Sequence, residues 1–161
     1  RELFFDLLSA KAAEVGEQVD ALGACKGGAG AEARRANRFA SGWHDDAVEV
    51  YSDYAFVIAF ENVQLEGYFT EKIVNPYLAG AIPVYWGWEG VGGDVFRKQS
   101  FIDCGQGRGG LEACADAVVE AWMGGRGREM AEEEALTEEK WKYWFGGGRL
   151  EDEVRRMLWN V

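Results

Sequence analysis

The chain has 161 residues, 48% of them hydrophobic, enough for one domain with a core of its own and too few for two comfortable ones. Its 17 Lys and Arg stand against 28 Asp and Glu, and the net charge of -11 repels phosphate backbones and anionic membranes wherever no local basic cluster opposes it, which disfavours a nucleic-acid scaffold. No apolar run approaches the roughly 18 residues needed to cross a bilayer, and no stretch has the basic-then-apolar pattern of a signal peptide.

The chain opens on Arg1 rather than Met and runs straight into RELFFDLLSA, an amphipathic helix already under way, so a piece of something longer is expected. Leu3, Phe4, Leu7, Leu8 and Ala12 recur at helical spacing, and the helix is expected to reach Glu14 before Gly16 breaks it. Gln18 to Ala21 reads as a short strand. Cys25 and Lys26 then lead into the loop Gly27–Gly30, which reads as a flexible insertion because no convincing helix follows at once to cradle a phosphate. From Ala31 to Asp46 the chain is polar, basic around Arg34, Arg35 and Arg38, and reads as a surface excursion with His44 on it, ending in a helical turn at Ala47–Tyr51.

YAFVIAFEN, Tyr54 to Asn62, is a continuous apolar run rich in aromatic and β-branched residues, the pattern of a parallel strand buried on both faces. Gly67 then gives a turn and Thr70 a helix cap, and Ile73, Tyr77 and Leu78 form an apolar helix face that Gly80 ends. Pro76 is expected either to bend that helix or to restart it with Asn75 as cap. AIPVYWG, Ala81 to Gly87, reads as a second buried strand. A loop follows, with a short turn beginning near Asp94, and Ser100 to Asp103 reads as a third strand. From Gly110 the chain reads as helical: LEACADAVVEAWM, then EMAEEEALTEEKWKYWF, then RLEDEVRRMLWNV. This order is that of an α/β fold with a parallel sheet and right-handed crossovers, in one domain over residues 1–161 with a helical tail from about 110. The three cysteines, Cys25, Cys104 and Cys114, have no CxxC spacing and one histidine for company. A zinc site is therefore not expected; one disulfide with a leftover thiol is compatible with them, its pairing open.

Ligands of parallel α/β sheets sit beyond the carboxyl ends of the strands. At the first of those ends Glu61 and Asn62 close a strand, while Tyr68, Thr70, Glu71 and Lys72 open the next helix. A helix start with a lysine in its first turn suits a phosphate, and a carboxylate beside it suits a pair of hydroxyls, so a sugar-bearing nucleotide meets both demands. The bland reading of Thr-Glu at a helix start is capping worth about 1 kcal/mol. Glu66 and Glu89 read as solvated loop residues. Trp86 and Trp88 could stack on a sugar or base, but a tryptophan closing a buried strand is more often packing.

The string FENVQLEGYFTEKIVNPYLAGAIPVYWG closely resembles the signature of the fucosyltransferases of glycosyltransferase family 10, the alpha-1,3 and alpha-1,3/4 enzymes. FRKQSFID, VDALGAC and the opening RELFFDLL resemble further stretches of that family, so the resemblance runs from Arg1 to about Asp103. It implies a Rossmann-like parallel sheet forming the C-terminal half of a GT-B glycosyltransferase, the half that binds GDP-fucose. By motif position Arg1 and Lys72 are implied to neutralise the diphosphate of the leaving group, Glu71 to hold donor hydroxyls, and Tyr68 and Asn62 to make further donor contacts. The resemblance also implies inversion at the sugar carbon, a glycan acceptor on protein or lipid, and a general base in an N-terminal half outside this chain. No tightly bound cofactor or metal is implied, there being no DxD motif, and divalent-ion stimulation is left open. The implied setting is the Golgi membrane, with the catalytic domain lumenal. The competing expectation is a GDP-sugar-binding remnant or truncated homologue without catalysis.

Overall fold

The computed structural model describes residues 1–21, 47–105 and 109–144, with backbone alone at 141, 143 and 144. The Gly27–Gly30 loop, Cys25, the basic stretch with His44, and the last expected helix lie outside the described residues.

Helix α1 (Glu2–Glu14) buries Phe4, Phe5, Leu8 and Ala12. Phe5 takes the inward place that periodicity gave to Leu3, which is 64% exposed. The helix stops in a Schellman motif: Gly16, at φ +80°, donates to the Ala13 carbonyl, and Glu17 donates to Ala12. Gln18–Ala21 is not a strand. Its polar side chains are engaged elsewhere instead, Asp20 accepting from the nearby Gln18 amide at 2.9 Å and from the distant Tyr54 hydroxyl at 2.7 Å. The short helix α2 (Ala47–Tyr51) follows, as expected.

Strands β1 (Phe56–Phe60), β2 (Ile82–Trp86) and β3 (Ile102–Asp103) form a parallel sheet in that spatial order, with Phe56 opposite Ile82, Phe60 opposite Trp86 and Val84 opposite Ile102. Between β1 and β2 runs α3 (Glu71–Leu78), capped by Thr70 and continuous through Pro76. No restart at Asn75 occurs. Pro76 lacks the N–H that would reach the Lys72 carbonyl, but only two helical residues follow it, and its ring is fully buried. This helix ends as α1 does: Gly80, at φ +75°, donates to Tyr77 and Ala81 donates to Pro76, and the chain passes directly into β2. Leu78, assigned by spacing to the apolar face, is 67% exposed; the inward places go to Ile73, Asn75 and Pro76.

The period-two alternation of the strands separates two cores. Phe60, Ile82, Val84 and Ile102 face α1 and α5 (Gly110–Met123), joining Phe4, Leu8, Ala115 and Val118. Ala59 and Tyr85 face the other way, onto Ile73 of α3 and the Val91, Val95, Phe96 and Phe101 cluster. The short turn α4 (Val91–Asp94) ends at Asp94 rather than beginning there. Cys104 and Cys114 form the disulfide, tying the end of β3 to α5. The second expected C-terminal helix is broken into α6 (Arg126–Glu132) and α7 (Glu138–Trp144). Tertiary contacts outweigh helix propensity there: Ala135 and Leu136 pack on the second core, the Ala135 carbonyl accepts from Arg97 N–H at 2.9 Å, and the Arg97 guanidinium pairs with Glu133 and Glu134.

Candidate active site at the end of the first strand

The same alternation carries past the end of β1. Glu61 N–H donates to the Trp86 carbonyl at 2.8 Å, adding one bond to the ladder, so Glu61 continues on the side of Ala59 and Asn62 on the side of Phe60. Glu61 thus meets α3, and Asn62 meets the start of α1.

On the α3 side, the Glu61 carboxylate is fully buried. It accepts Thr70 N–H at 2.7 Å and the Thr70 hydroxyl at 2.9 Å, and it lies 3.4 Å from the Lys72 ammonium. A capping box places an acid three residues after the cap to satisfy the cap residue's own N–H. Here that position is Ile73, wholly committed to the core, and Glu61 supplies the carboxylate from the strand. Thr70 Oγ1 accepts from the Lys72 backbone at 3.4 Å and from Lys72 Nζ at 3.0 Å. Glu71, exposed on the outer side, brings its carboxylate to 3.6 Å from the same ammonium.

On the α1 side, the Arg1 guanidinium donates to the Phe60 carbonyl at 2.6 Å and to the Asn62 side-chain oxygen. Arg1 is exposed, so its charge is free to meet a ligand while its geometry is set by the strand end. Arg1, Glu71, Lys72 and the buried Asn75 all line one groove of about 1180 Å³ that runs along β1. Asn62 contributes through Arg1. Tyr68 is half-buried, closing the Leu65–Tyr68 turn, and stands apart from the walls of this groove. Gly67 in that turn has φ +74°.

Beneath the β2 end, Tyr85 accepts Trp88 N–H on its hydroxyl at 3.1 Å. Burial pushes this phenol up to about 12, aided by the charges of Glu61 and Asp103 and opposed by the Trp88 bond. A Cβ at Gly87 would sit 2.2 Å from the Tyr85 oxygen and 2.8 Å from Glu61 Cγ, so the chain passes over both side chains only as glycine. Trp86 stacks at 6.1 Å on Phe60 and Trp88 packs half-buried on the second core, both as packing residues. Glu66 and Glu89 are exposed. Reading the sequence brought Glu61 to this strand end but gave it no role, and it considered Asn75 only as an alternative cap. The parity of Glu61 relative to the strand was the available signal; Asn75 had none beyond its place on α3.

Among the described residues no group of three His, Cys, Asp or Glu side chains is placed to hold a metal ion, and no helix is long and apolar enough to cross a membrane.

The chain is 46% identical over 71 residues to a fucosyltransferase-named protein of Acanthamoeba polyphaga mimivirus, covering 44% of this chain and 12% of that protein. It is 46% identical over 55 residues to the Alpha-(1,3)-fucosyltransferase FucT of Helicobacter pylori, covering 34% of this chain and 11% of that one. Its fold matches a crystal structure of an alpha1,3-fucosyltransferase with GDP at a TM-score of 0.66 and 26% identity, over 85% of this chain and 35% of the other. It also matches an alpha1,3-fucosyltransferase with GDP-fucose at a TM-score of 0.64 and 26% identity, over 84% of this chain and 35% of the other. The chain therefore spans about a third of the solved structures and a smaller part of the curated relatives. The sheet is the Rossmann-like parallel sheet of a GT-B half. Residues 10–107 match the model of the glycosyltransferase family 10 (fucosyltransferase) C-terminal region, and the chain belongs to that family.

Proposed function

We propose that this chain is the donor-binding half of a fucosyltransferase, taking GDP-fucose at the end of β1 and presenting it for transfer, with inversion, to a hydroxyl of a glycan acceptor on protein or lipid. The observation that carries this reading is the convergence of Arg1 and Lys72, distant in sequence, on one groove at the strand end. When the bond from the sugar carbon to the diphosphate oxygen breaks, negative charge grows on the departing GDP. Cations already fixed there act mainly on the transition state. The N-terminal turn of α3 adds its dipole on the same side. Glu71, exposed beside Lys72, is proposed to accept hydroxyls of the sugar. Tyr68 and Asn62 are proposed as outer donor contacts, Asn62 chiefly by holding Arg1. As the bond to GDP breaks, the acceptor oxygen forms the new bond to the sugar carbon. Its proton passes to a carboxylate outside this chain. A lumenal Golgi setting is part of the proposal, and the Cys104–Cys114 disulfide suits an oxidising compartment.

Calorimetric titration with GDP tests the donor site. The wild-type chain is expected to bind GDP, and Lys72→Ala to weaken it by roughly tenfold or more, the loss of one charge-assisted contact. Unchanged affinity would remove Lys72 from the phosphate site.

A further inference from the structure

We propose that Glu61 is a positioning residue for the diphosphate site: from the end of β1 it fixes the Lys72 ammonium in its binding position, so that affinity for a nucleoside diphosphate depends on a carboxylate at 61. The inference rests on the reading of Lys72 as a phosphate-binding cation.

Capping alone does not account for this side chain. The start of α3 needs one acceptor for Thr70 N–H, which a neutral oxygen supplies as well as a charged one. Glu61 does more. Its second oxygen faces the Lys72 ammonium at 3.4 Å, and the Thr70 hydroxyl, 2.9 Å from each carboxylate oxygen, bridges to that ammonium at 3.0 Å. A fully buried carboxylate is unfavourable unless hydrogen bonds and an opposite charge compensate it, and here the Thr70 donors and Lys72 provide both. A lysine otherwise explores many rotamers. Lys72, 28% exposed and tied to Glu61 and Thr70, is ordered before any ligand arrives, and the ordering cost is removed from the binding step. Glu71, at 3.6 Å but 58% exposed, cannot substitute, because an ion pair with a largely solvated carboxylate holds the ammonium weakly.

Simple Coulomb attraction predicts the opposite sign from positioning: removing a negative charge beside Lys72 would tighten an anion. The test therefore uses Glu61→Gln, which keeps the shape and an acceptor for Thr70 N–H, in the wild-type and Lys72→Met backgrounds. GDP and guanosine are the titrants. Expected are a loss of GDP affinity of roughly fivefold or more in the wild-type background, little change for guanosine, and almost no further loss once Lys72 is Met. Tighter or unchanged GDP binding overturns the proposal. So does an equal loss for guanosine or an equal loss in the Lys72→Met background, either of which would make Glu61 a cap alone. If the wild-type chain takes up neither titrant, or if Lys72→Met leaves GDP affinity intact, the reading of the site itself falls and this inference with it. A measurement on the ligand-free chain is independent of nucleotide: nitrogen-15 spectra of the lysine ammonium groups. A slowly exchanging ammonium signal, lost in Lys72→Met, supports the proposal; its absence overturns it.

Discussion

Two glycines show how differently the same residue type can be required. Gly80 has φ +75° and open space where a side chain would go, so Gly80→Ala meets only backbone strain, about 1 kcal/mol. Gly87 has no such torsion, but its Cβ would strike the Tyr85 hydroxyl and the Glu61 stem. Gly87→Ala is therefore expected to cost more, up to about 3 kcal/mol, and to weaken GDP binding as well by displacing Glu61. Urea unfolding of both variants, alongside the GDP titration, measures the two effects separately. Gly80 was legible as a helix stop because glycine after an apolar helix is a recurrent punctuation. Gly87 was not, because the collision it avoids is set by side chains on two different strands.

The layer on the α3 side of the sheet is held by two phenols, the half-buried Tyr77 of α3 bonded to Ser100 at 2.7 Å and the buried Tyr85 of β2 bonded to Trp88. Burial raises both, Tyr85 to about 12 from an ordinary 10. A phenol with a folded value above its unfolded one stabilises the fold below pH 10, and that contribution is lost as the pH climbs from 10 toward 12. Denaturant unfolding at rising pH is expected to show this loss. Tyr85→Phe should lower stability near neutrality by about 1 kcal/mol, through the orphaned Trp88 N–H, and make the alkaline decline shallower. The elements of this layer were readable because long apolar runs and a Thr cap are local signals. Three readings failed for non-local reasons. QVDA offered alternation, but Asp20 is taken by Tyr54. Leu78 lies past the short arc that α3 buries. The acidic run after Met130 has strong helix formers, yet Arg97 and the second core pull Glu133–Leu136 out of line.

For the molecule as a whole, the net charge of -11 and the anion proposed to bind stand in tension, and the fold answers by bringing two cations, Arg1 and Lys72, to one strand end beside the acids Glu61 and Glu71. Binding of GDP should accordingly tolerate the unfavourable average field at short range and depend on Arg1 and Lys72. Catalysis is a separate matter, since the chain covers 35% of the solved fucosyltransferase with GDP. The chain alone is expected to bind GDP yet transfer no fucose from GDP-fucose to an N-acetyllactosamine acceptor. A radiolabel transfer assay checks this, and measurable product would place the general base within these residues. Binding without transfer even when the chain is supplied within its full-length protein would favour the non-catalytic GDP-sugar-binding reading. Because Glu61 and Asn62 are neighbours that serve cations on opposite sides of the sheet, a one-codon insertion or deletion ahead of them would exchange their sides. The acid would then be delivered toward Arg1 and the amide toward Lys72. Reading-frame-preserving length changes here should thus be purged more severely than substitutions at either position.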